Sequence, residues 1–328
     1  MVLKLSATHI ASLWNMPLAV ETMQSLCVSE AAARTLSSDR IHIELPRGGF
    51  LRVLPGVLLD KGVMGYKEFH TGADGPRYTI HLFDYESGRH LAYLDAGGIT
   101  VLRTGAMGAV ALKRLAPENA SLLGVIGSGK EALSAIQGLK LVRPDITEGW
   151  IYSPNPTSRE SFASKVADEL GISLKPVDSG IAAVRDAHVV IAATTTRGHV
   201  ALQGSWLRKG IHISSVAATS PETREIDEDV WALADRVIVD TPRLLEESGD
   251  AIAAHEAGVL DPTRVFSIAD VVSGTSPGRL HEGETTLYKS VGTGLQDIAS
   301  AYRIFRKAQE LGVGEDVVEL SRPVANSR

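Results

Sequence analysis

The sequence predicts an α/β protein with two domains: a doubly wound parallel sheet of the Rossmann type, and a second domain built on antiparallel β-strands (α+β). Three observations carry this prediction. The chain has 328 residues, which is longer than a chain that folds around a single hydrophobic core usually is. Residues 40–97 alternate apolar and polar positions in short runs. From about residue 120, continuous apolar runs alternate with helical segments, which is typical of a parallel sheet covered on both faces.

The front part of the chain predicts a helical segment followed by a meander of strands. Residues 1–38 have an apolar stripe at helical spacing, made of Met23, Leu26, Cys27, Ala31 and Leu36. A hairpin is expected from residue 41 to residue 54, with its turn at Arg47-Gly48-Gly49. Further strands are predicted at Val63–Phe69, Tyr78–Tyr85 and His90–Asp95. Residues 99–115 predict a helix with small side chains on one face.

The second part predicts the parallel sheet and its helices. The expected strands are Leu122–Ile126, Gly149–Tyr152, His188–Ala193, Ile211–Val216, Arg236–Val239 and Val265–Ile268. The expected helices include Lys130–Leu141, Ser158–Leu170 and a final helix, Leu295–Leu311, before a polar tail. This organisation places the Rossmann domain at 118–294 and assigns 1–117 together with 295–328 to the second domain.

Composition excludes several classes of protein. The net charge is −6, and no segment concentrates Lys and Arg, so nucleic-acid binding is disfavoured. Cys27 is the only cysteine, which excludes a disulfide framework within the chain and favours a reducing compartment. No signal-peptide core and no run of 18 apolar residues is found, so the sequence predicts a cytoplasmic protein without a membrane span. The ten histidines lack metal-binding spacing, so no metal site is expected.

The segment Gly127-Ser128-Gly129-Lys130 follows an apolar strand and opens a helix, and Ala132 completes a G-x-G-x-x-A pattern. In such turns the first glycine permits the tight bend and the second lets the backbone approach a pyrophosphate. The helix N-terminus then offers N–H donors and a partial positive charge to the phosphates. The order strand, turn, helix therefore predicts a dinucleotide site with residues 127–130 in contact with the cofactor.

The same segment also fits a different nucleotide motif. From Gly124 to Lys130 it matches G-x-x-x-x-G-K, the phosphate loop of NTPases. However, Glu131 stands where that loop needs the Ser or Thr that binds Mg²⁺, and Gly124 falls inside the strand. The NTPase interpretation is therefore disfavoured.

The end of the second parallel strand bears on the choice of cofactor. NAD enzymes usually place an acidic residue there for the ribose 2′-hydroxyl. This chain instead has Ser153, Asn155 and Arg159, with no carboxylate to repel a 2′-phosphate. These three residues are candidate cofactor ligands. They slightly favour NADP(H) over NAD(H), although Arg159 is equally well explained as a solvated arginine in the first turn of a helix.

Several segments stand in a characteristic order and spacing: Arg40, Met64–Lys67, Leu82–Gly88, Leu102–Ala106, Ile126–Gly129, His212–Ala218, Arg224-Glu225 and Lys289–Gly292. In these the chain resembles the ornithine cyclodeaminase/mu-crystallin family over nearly its full length. Members of that family reduce imino acids, oxidise amino acids, or convert ornithine to proline with catalytic NAD⁺. The resemblance implies a small amino or imino acid as substrate. It also implies a homodimer, with the 1–117/295–328 domain responsible for substrate binding and dimerisation.

The resemblance further implies that Arg40, Lys67 and Arg103 fix the substrate carboxylate, with Lys67 also catalytic as a proton donor. A guanidinium presents a fork that matches a carboxylate, whereas a lysine is a compact charge. Taken alone, Arg40 is better explained as a surface or ion-paired residue. For Lys67, on an apolar strand, and Arg103, inside an Ala/Gly-rich helix, a functional role is favoured.

Further candidate residues are a threonine near the substrate and several residues at strand ends near the cofactor. Thr79 matches a position near the substrate pocket of the cyclodeaminases, although threonine is also simply a good strand former. Thr194, Thr195 and Thr196 follow a parallel strand at its carboxyl end, where cofactors bind in open α/β sheets. By the resemblance, the threonines and Val216 line the nicotinamide and its ribose. The resemblance also implies that Ser290 lies near the nicotinamide carboxamide.

One stretch departs from the cyclodeaminase pattern. Those enzymes carry an aspartate after the strand at 212–216, where this chain has Thr219. A hydroxyl without a nearby base is a poor general base near neutral pH, and Glu222 is the nearest carboxylate in sequence. The sequence therefore favours an NAD(P)H-dependent oxidoreductase. It would reduce a small cyclic imino acid, such as Δ1-pyrroline-2-carboxylate, to the L-amino acid, or catalyse the reverse dehydrogenation. Two alternatives stay open: an ornithine cyclodeaminase that releases ammonia, and a non-catalytic NADPH or small-ligand binder of the mu-crystallin type.

Overall fold

The computed structural model describes residues 1–46, 48–72, 75–195 and 198–319. The chain divides into two units. Unit 1 comprises Met1–Thr22, Ala32–Thr100 and the chain from Gly294 onward, and unit 2 comprises Met23–Ala31 and Val101–Thr293. The second unit thus includes residues 23–31 and 101–117, which the sequence analysis placed in the other domain. Arg47 of the predicted hairpin turn and Thr196 lie outside the described residues.

The strands, in chain order, are β1 (Val2–Leu5), β2 (Thr35–Leu36), β3 (Ile41–Glu44), β4 (Phe50–Leu58), β5 (Val63–Gly72), β6 (Gly75–Asp84), β7 (His90–Asp95), β8 (Leu122–Ile126), β9 (Glu148–Tyr152), β10 (Ser173–Pro176), β11 (Val189–Ala192), β12 (His212–Ser215), β13 (Arg236–Val239), β14 (Val265–Ser267), β15 (Thr286–Lys289) and β16 (Glu315–Val317). The α-helices are α1 (Ala7–Leu13), α2 (Met16–Ala31), α3 (Gly97–Leu115), α4 (Lys130–Val142), α5 (Pro156–Leu170), α6 (Gly180–Val184), α7 (Glu228–Leu233), α8 (Leu244–Glu247), α9 (Gly249–Glu256), α10 (Ile268–Ser273) and α11 (Gly294–Leu311). Among the residues that the structure describes, no helix combines the length and the apolar character needed to cross a bilayer.

Unit 1 is built on a mixed sheet in the order β16-β1-β7-β6-β5-β4-β2, with β3 also paired to β4. The predicted meander is confirmed, because β4 to β7 pair antiparallel in succession. The prediction of helix throughout residues 1–38 was wrong at both ends, where β1 and β2 form. The reason is non-local: β1 gains hydrogen bonds from β7 and from β16, which lies more than 300 residues away.

Helix α11 covers one face of this sheet, against β4, β5 and β6. Close approach is possible because glycines stand at the contact. A Cβ at Gly56 would lie 3.2 Å from the backbone of Gly294, and a Cβ at Gly65 would lie 3.0 Å from the Ile298 side chain. Side chains on this sheet face are therefore buried, whereas those on the opposite face alternate with them and stay partly exposed.

Unit 2 is an eight-stranded parallel sheet in the order β10-β9-β8-β11-β12-β15-β13-β14. The predicted Rossmann class is confirmed, and its first five strands follow the order 3-2-1-4-5 of doubly wound folds. All six predicted strands form. The sequence analysis missed two strands, β10 and β15. Each is four residues long and contains polar residues, so neither has a continuous apolar run.

Small residues bring helices α3 and α4 of unit 2 into contact. A Cβ at Gly105 would lie 2.4 Å from the Ser134 carbonyl oxygen, and a Cβ at Gly138 would lie 2.6 Å from the Gly105 carbonyl oxygen. The Ser134 hydroxyl also donates to the Val101 carbonyl at 2.8 Å. The Ala/Gly-rich face of α3 is thus a packing surface, and its contacts fix the part of the helix that carries Arg103.

The core of unit 2 contains a neutral histidine. His212 is fully buried in β12, with its Nδ1 2.9 Å from Thr286 Oγ1. Burial, with a smaller effect of Arg279, lowers the pKa of His212 from 6.5 to about 3. The unfolded chain takes up this proton near pH 6.5, whereas the folded chain does not. Stability is therefore fully present above pH 6.5 and is lost by about 1.4 kcal/mol per pH unit as the pH falls toward 3.

We accordingly expect the free energy of unfolding of His212→Asn to depend less on pH below pH 7 than that of the wild type. Between pH 7.5 and pH 5.5, the free energy of unfolding in urea should fall about 1 kcal/mol more for the wild type than for the variant. His255→Asn, at an exposed position of α9, is the control and should leave the profile unchanged. Equal slopes for wild type and His212→Asn would contradict the prediction.

Candidate active site

The glycine turn of unit 2 lies at the carboxyl end of β8, beside the end of β11. Gly127 has φ of 110°, in the region that favours glycine, and a Cβ there would lie 2.2 Å from the Ala193 carbonyl oxygen. The strand order reverses between β8 and β11, and ligands of open α/β sheets bind at such a switch point. The turn therefore lies where the sequence analysis expects a cofactor.

The residues after Gly127 fit a pyrophosphate. A Cβ at Gly129 would meet no atom within 4 Å, so the surface in front of this residue is open. Helix α4 begins at Lys130, and no side chain in the described part of the chain caps its N-terminus. The dipole of a helix favours an anion at such an N-terminus. Ala132 is fully buried, as close packing of this helix on the sheet requires.

The end of β9 lies beside the glycine turn. The Ser128 hydroxyl donates to Ser153 Oγ at 3.0 Å, which joins the two segments. Asn155 is exposed and caps α5, accepting from the Ser158 N–H at 3.1 Å. Arg159, which was expected either to bind cofactor or to be solvated, is 8% exposed and donates to the Ser153 carbonyl at 3.2 Å. It also forms an ion pair with Asp178, a residue that the sequence analysis did not single out.

Glu225 organises the ends of β11 and β12. Its carboxylate accepts from both the N–H and the hydroxyl of Thr194, each at 2.8 Å, from the Ser215 hydroxyl at 2.6 Å and from the Ala217 N–H at 3.1 Å. Glu225 is fully buried, so these bonds satisfy a charge that water does not reach. Thr194 therefore holds its strand end through Glu225. Thr195 is exposed next to it, and Val216 is buried in the core.

A buried cation supports the same strand ends. Lys289, at the end of β15, donates to Asp250 Oδ2 at 2.8 Å, to the Ser215 hydroxyl at 3.0 Å and to the Ala217 carbonyl. Asp250 accepts in turn from the Glu225 N–H at 2.7 Å. Lys289, Asp250 and Glu225 are all fully buried. This network of two carboxylates and a lysine fixes the backbone beneath the expected nicotinamide.

The network ends at a strained residue. Ala218 has φ of 55°, a left-handed conformation that costs an alanine about 1–2 kcal/mol. Thr219, which replaces the cyclodeaminase aspartate, follows it and is half-buried, whereas Glu222 is exposed. Glu222 is thus poorly placed to compensate for the missing aspartate.

Arg103 lies against the loop Ser290–Gly292, which leaves the carboxyl end of β15. Gly292 has φ of 74°, and a Cβ there would lie 2.7 Å from Arg103 Nη1. Arg103 is 5% exposed, and its Nη1 donates to Thr104 Oγ1 at 2.8 Å. Asp240 holds the loop: it accepts from the Ser290 hydroxyl at 2.6 Å, the Val291 N–H at 3.1 Å and the Gly292 N–H at 2.9 Å. Unit 2 alone therefore brings Arg103 and Ser290 together at one loop.

Glu30 in α2 is a titratable group that the sequence analysis missed. Burial, to which the charge of Asp240 adds, raises the pKa of its half-buried carboxyl from 4.5 to about 8. It therefore carries a proton at neutral pH. The sequence could have indicated its burial, because Glu30 lies on the same helix face as Met23, Leu26 and Cys27.

Unit 1 contains Lys67 as a buried ion pair. Lys67 lies on β5 and is 2% exposed, and its Nζ is 2.6 Å from Asp297 Oδ2 on α11. Its ammonium also lies 5.6 Å from the centre of the Phe69 ring. An ammonium held by a carboxylate in a buried position can bind an anion and can exchange a proton.

Thr79 and Arg40 are the other expected substrate-binding residues of unit 1. Thr79 pairs with Glu68, whereas Lys67 pairs with Ile80, so Thr79 projects from the opposite sheet face. Arg40 is half-buried and precedes β3, whose four residues are exposed. The face on which Thr79 lies follows from strand register, which one sequence does not specify.

Arg52 is a buried cation that the sequence analysis missed. It is 7% exposed on β4, on the same sheet face as Lys67, because it pairs with Phe69 on β5. Its guanidinium lies over the rings of Phe50 and Phe69, and its Nε donates to His42 Nδ1 at 2.7 Å. The sequence could have indicated this residue, because Arg52 lies among the positions of β4 that alternate toward the buried face.

Comparison with known proteins identifies the family of this chain. The family model for the ornithine cyclodeaminase/mu-crystallin family matches residues 7–312. A Δ1-pyrroline-2-carboxylate reductase of Bacillus cereus is 31% identical over 73% of this chain and 73% of its own. The structure of the Thermococcus litoralis Δ1-pyrroline-2-carboxylate reductase in complex with NADH and L-proline is 31% identical, covers 96% of this chain and 100% of its own, and has a TM-score of 0.91. An archaeal alanine dehydrogenase dimer with bound NAD is 28% identical, covers 97% and 99% of the two chains, and has a TM-score of 0.89. The chain belongs to the ornithine cyclodeaminase/mu-crystallin family.

Proposed function

We propose that this protein is an oxidoreductase that reduces the C=N bond of a small cyclic imino acid, such as Δ1-pyrroline-2-carboxylate, to the L-amino acid. The observation that carries the proposal is the buried guanidinium of Arg103, set against Gly292 in the unit that also contains the glycine turn. A fork of donors suits the carboxylate of an α-imino acid. The names of the relatives support this reaction class.

Arg103 is the proposed ligand of the substrate carboxylate. Reduction of an imine adds a hydride to carbon and a proton to nitrogen. A bound nicotinamide dinucleotide supplies the hydride. Lys67 holds a proton at Nζ beside Asp297 and delivers it to the imine nitrogen, so this lysine is the proposed catalytic acid. The network around Glu225 and Lys289 keeps the strand ends rigid, which favours a fixed orientation of cofactor and substrate.

The active form in this proposal is a homodimer. One face of the unit 1 sheet carries stacked, partly exposed rings: Tyr66 and His81 are 5.0 Å apart between ring centres, and Phe83 and His90 are 4.6 Å apart. Partly exposed aromatic surface of this kind is typical of interfaces. The archaeal alanine dehydrogenase described as a dimer supports a second copy of this chain as the partner at that face.

Arg103→Lys tests the proposal. It keeps the positive charge but removes the fork, so we expect the KM for Δ1-pyrroline-2-carboxylate to rise roughly 10- to 30-fold. The Kd for the dinucleotide should stay within about 2-fold. The measurements are NADH or NADPH consumption at 340 nm and a fluorescence titration of the dinucleotide. Gly292→Ala should raise KM in the same way, because its Cβ would displace the guanidinium.

Two results would overturn the proposal. One is the absence of substrate-dependent cofactor oxidation by the wild type over a panel of cyclic imino acids. The other is release of ammonia from L-ornithine with only catalytic NAD⁺, which would identify a cyclodeaminase. Binding of dinucleotide without either reaction would instead favour a non-catalytic NADPH binder.

A further inference from the structure

The ion pair between Arg159 and Asp178 lies where a Rossmann unit distinguishes its two cofactors. Arg159 is in the first turn of α5, directly after β9. Asp178 follows β10, the neighbour of β9 in the sheet, and Val177 still donates to the Ile151 carbonyl at 3.0 Å. The two residues therefore meet at the carboxyl ends of adjacent parallel strands, although 19 positions separate them in sequence.

The burial of the two side chains is unequal. The Arg159 side chain is 9% exposed, whereas that of Asp178 is 96% exposed. The guanidinium is held from below by the Ser153 carbonyl and lies 5.9 Å from the centre of the Tyr152 ring. Arg159 thus holds one oxygen of the Asp178 carboxylate, while the carboxylate faces solvent. Its second oxygen can accept a hydrogen bond from a ligand.

Helix capping does not explain Asp178. The next residue, Ser179, is the N-cap of α6, and its side chain accepts from the Ala182 N–H at 3.3 Å. Within the described residues, the Asp178 carboxylate forms an ion pair with Arg159. Because that carboxylate is almost fully exposed, the pair contributes little to stability, and its position at the strand ends favours a role in binding.

A chain of hydrogen bonds connects the pair to the cofactor turn. Arg159 donates to the Ser153 carbonyl, and Ser153 Oγ accepts from Ser128, the residue between the two glycines. In a Rossmann unit the group after the second strand meets the ribose of the adenosine half. The position of Arg159 and Asp178 matches that group, with the carboxylate supplied by a different strand end than usual.

We infer that Asp178 makes the cofactor site select NAD(H) over NADP(H). It accepts the ribose 2′-hydroxyl, and it repels a 2′-phosphate while neutralising the arginine that would otherwise bind that phosphate. This inference rests on the proposed function, because it requires that a dinucleotide binds at the glycine turn. It reverses the slight preference for NADP(H) that the sequence indicated, where Arg159 was visible and its acidic partner was not.

The test is a binding titration of the full-length protein with NADH and with NADPH, followed by dinucleotide fluorescence. The wild type should bind NADH at least about 10-fold more tightly than NADPH. Asp178→Asn should tighten NADPH roughly 10-fold or more, because Arg159 becomes available to the 2′-phosphate. The double variant Asp178→Asn/Arg159→Met should lose that gain. Asp168→Asn, at an exposed acid on α5, removes the same charge as a control and should leave the NADPH/NADH ratio unchanged.

The possible failures are distinguishable. Equal or tighter binding of NADPH by the wild type would overturn the inference, as would an unchanged ratio in Asp178→Asn. Both of these results leave dinucleotide binding, and so the proposed function, intact. If the wild type binds neither dinucleotide, the proposed function fails and this inference falls with it. The exposure of Asp178 makes misfolding of the single variant an unimportant complication, which a thermal melt checks.

Discussion

Replacing Lys289 with methionine is expected to lower the free energy of unfolding by about 3–5 kcal/mol, since removing one partner of a buried ion pair is strongly destabilising. Lys289 is fully buried and donates to Asp250, Ser215 and the Ala217 carbonyl. Without the ammonium, Asp250 and Glu225 stay in the interior with one cation fewer. Urea unfolding monitored by tryptophan fluorescence measures the loss.

A second substitution identifies the cause of that loss. Asp250→Asn in the Lys289→Met background removes the stranded carboxylate, so the double variant should be less destabilised than the sum of the two single variants. Lys165→Met is the control, because its side chain is 52% exposed and its replacement should change stability by less than about 0.5 kcal/mol. A Lys289→Met variant as stable as this control would show that the buried network has no structural role.

Gly127→Ala and Gly129→Ala should damage different properties of the protein. At Gly127 the new Cβ meets the Ala193 carbonyl oxygen at 2.2 Å and the backbone is at φ of 110°, so we expect a loss of about 3–5 kcal/mol in unfolding free energy. At Gly129 the Cβ meets nothing and φ is −91°, so the fold should tolerate alanine. The methyl group nevertheless occupies the space that a pyrophosphate needs. The Kd for NADH should therefore rise at least about 30-fold.

The comparison of these two variants is informative because both replace a glycine with an alanine, two positions apart. Thermal denaturation reports on the fold, and a fluorescence titration reports on the cofactor. A Gly129→Ala protein with normal stability and normal NADH affinity would show that the dinucleotide does not approach this turn. A loss of stability at Gly129 equal to that at Gly127 would show that both glycines serve only the backbone.

The local parts of the fold could be predicted from the sequence. The strand, glycine turn and helix at 122–142 each have a pattern within a few residues, and all three form as expected. The alternation of residues in β4 to β7 likewise predicted the meander. Lys67 and Arg103 were singled out as cations among apolar or small neighbours, and both are buried. In each of these cases neighbouring residues contain the information.

The remaining features depend on residues that are distant in sequence. Strand β1 forms because β7 and β16 pair with it, and β15 because the chain returns between β12 and β13. The partner of Arg159 comes from another strand, and the partner of Lys67 is 230 positions away. Thr79 was matched by resemblance to a position near the substrate pocket, and strand register places it on the sheet face opposite Lys67. Sequence patterns give the alternation of a strand but not the identity of its neighbours.

Unit 1 is assembled from both ends of the chain, and this has a consequence for biosynthesis. The ion pair between Lys67 and Asp297 and the pairing of Leu3 with Asp316 both need residues made after Thr293. The continuous stretch from Val101 to Thr293, with its parallel sheet, leaves the ribosome before them. Vectorial folding should therefore begin with unit 2, and the sheet that carries Lys67 is completed only after Asp316 has been made.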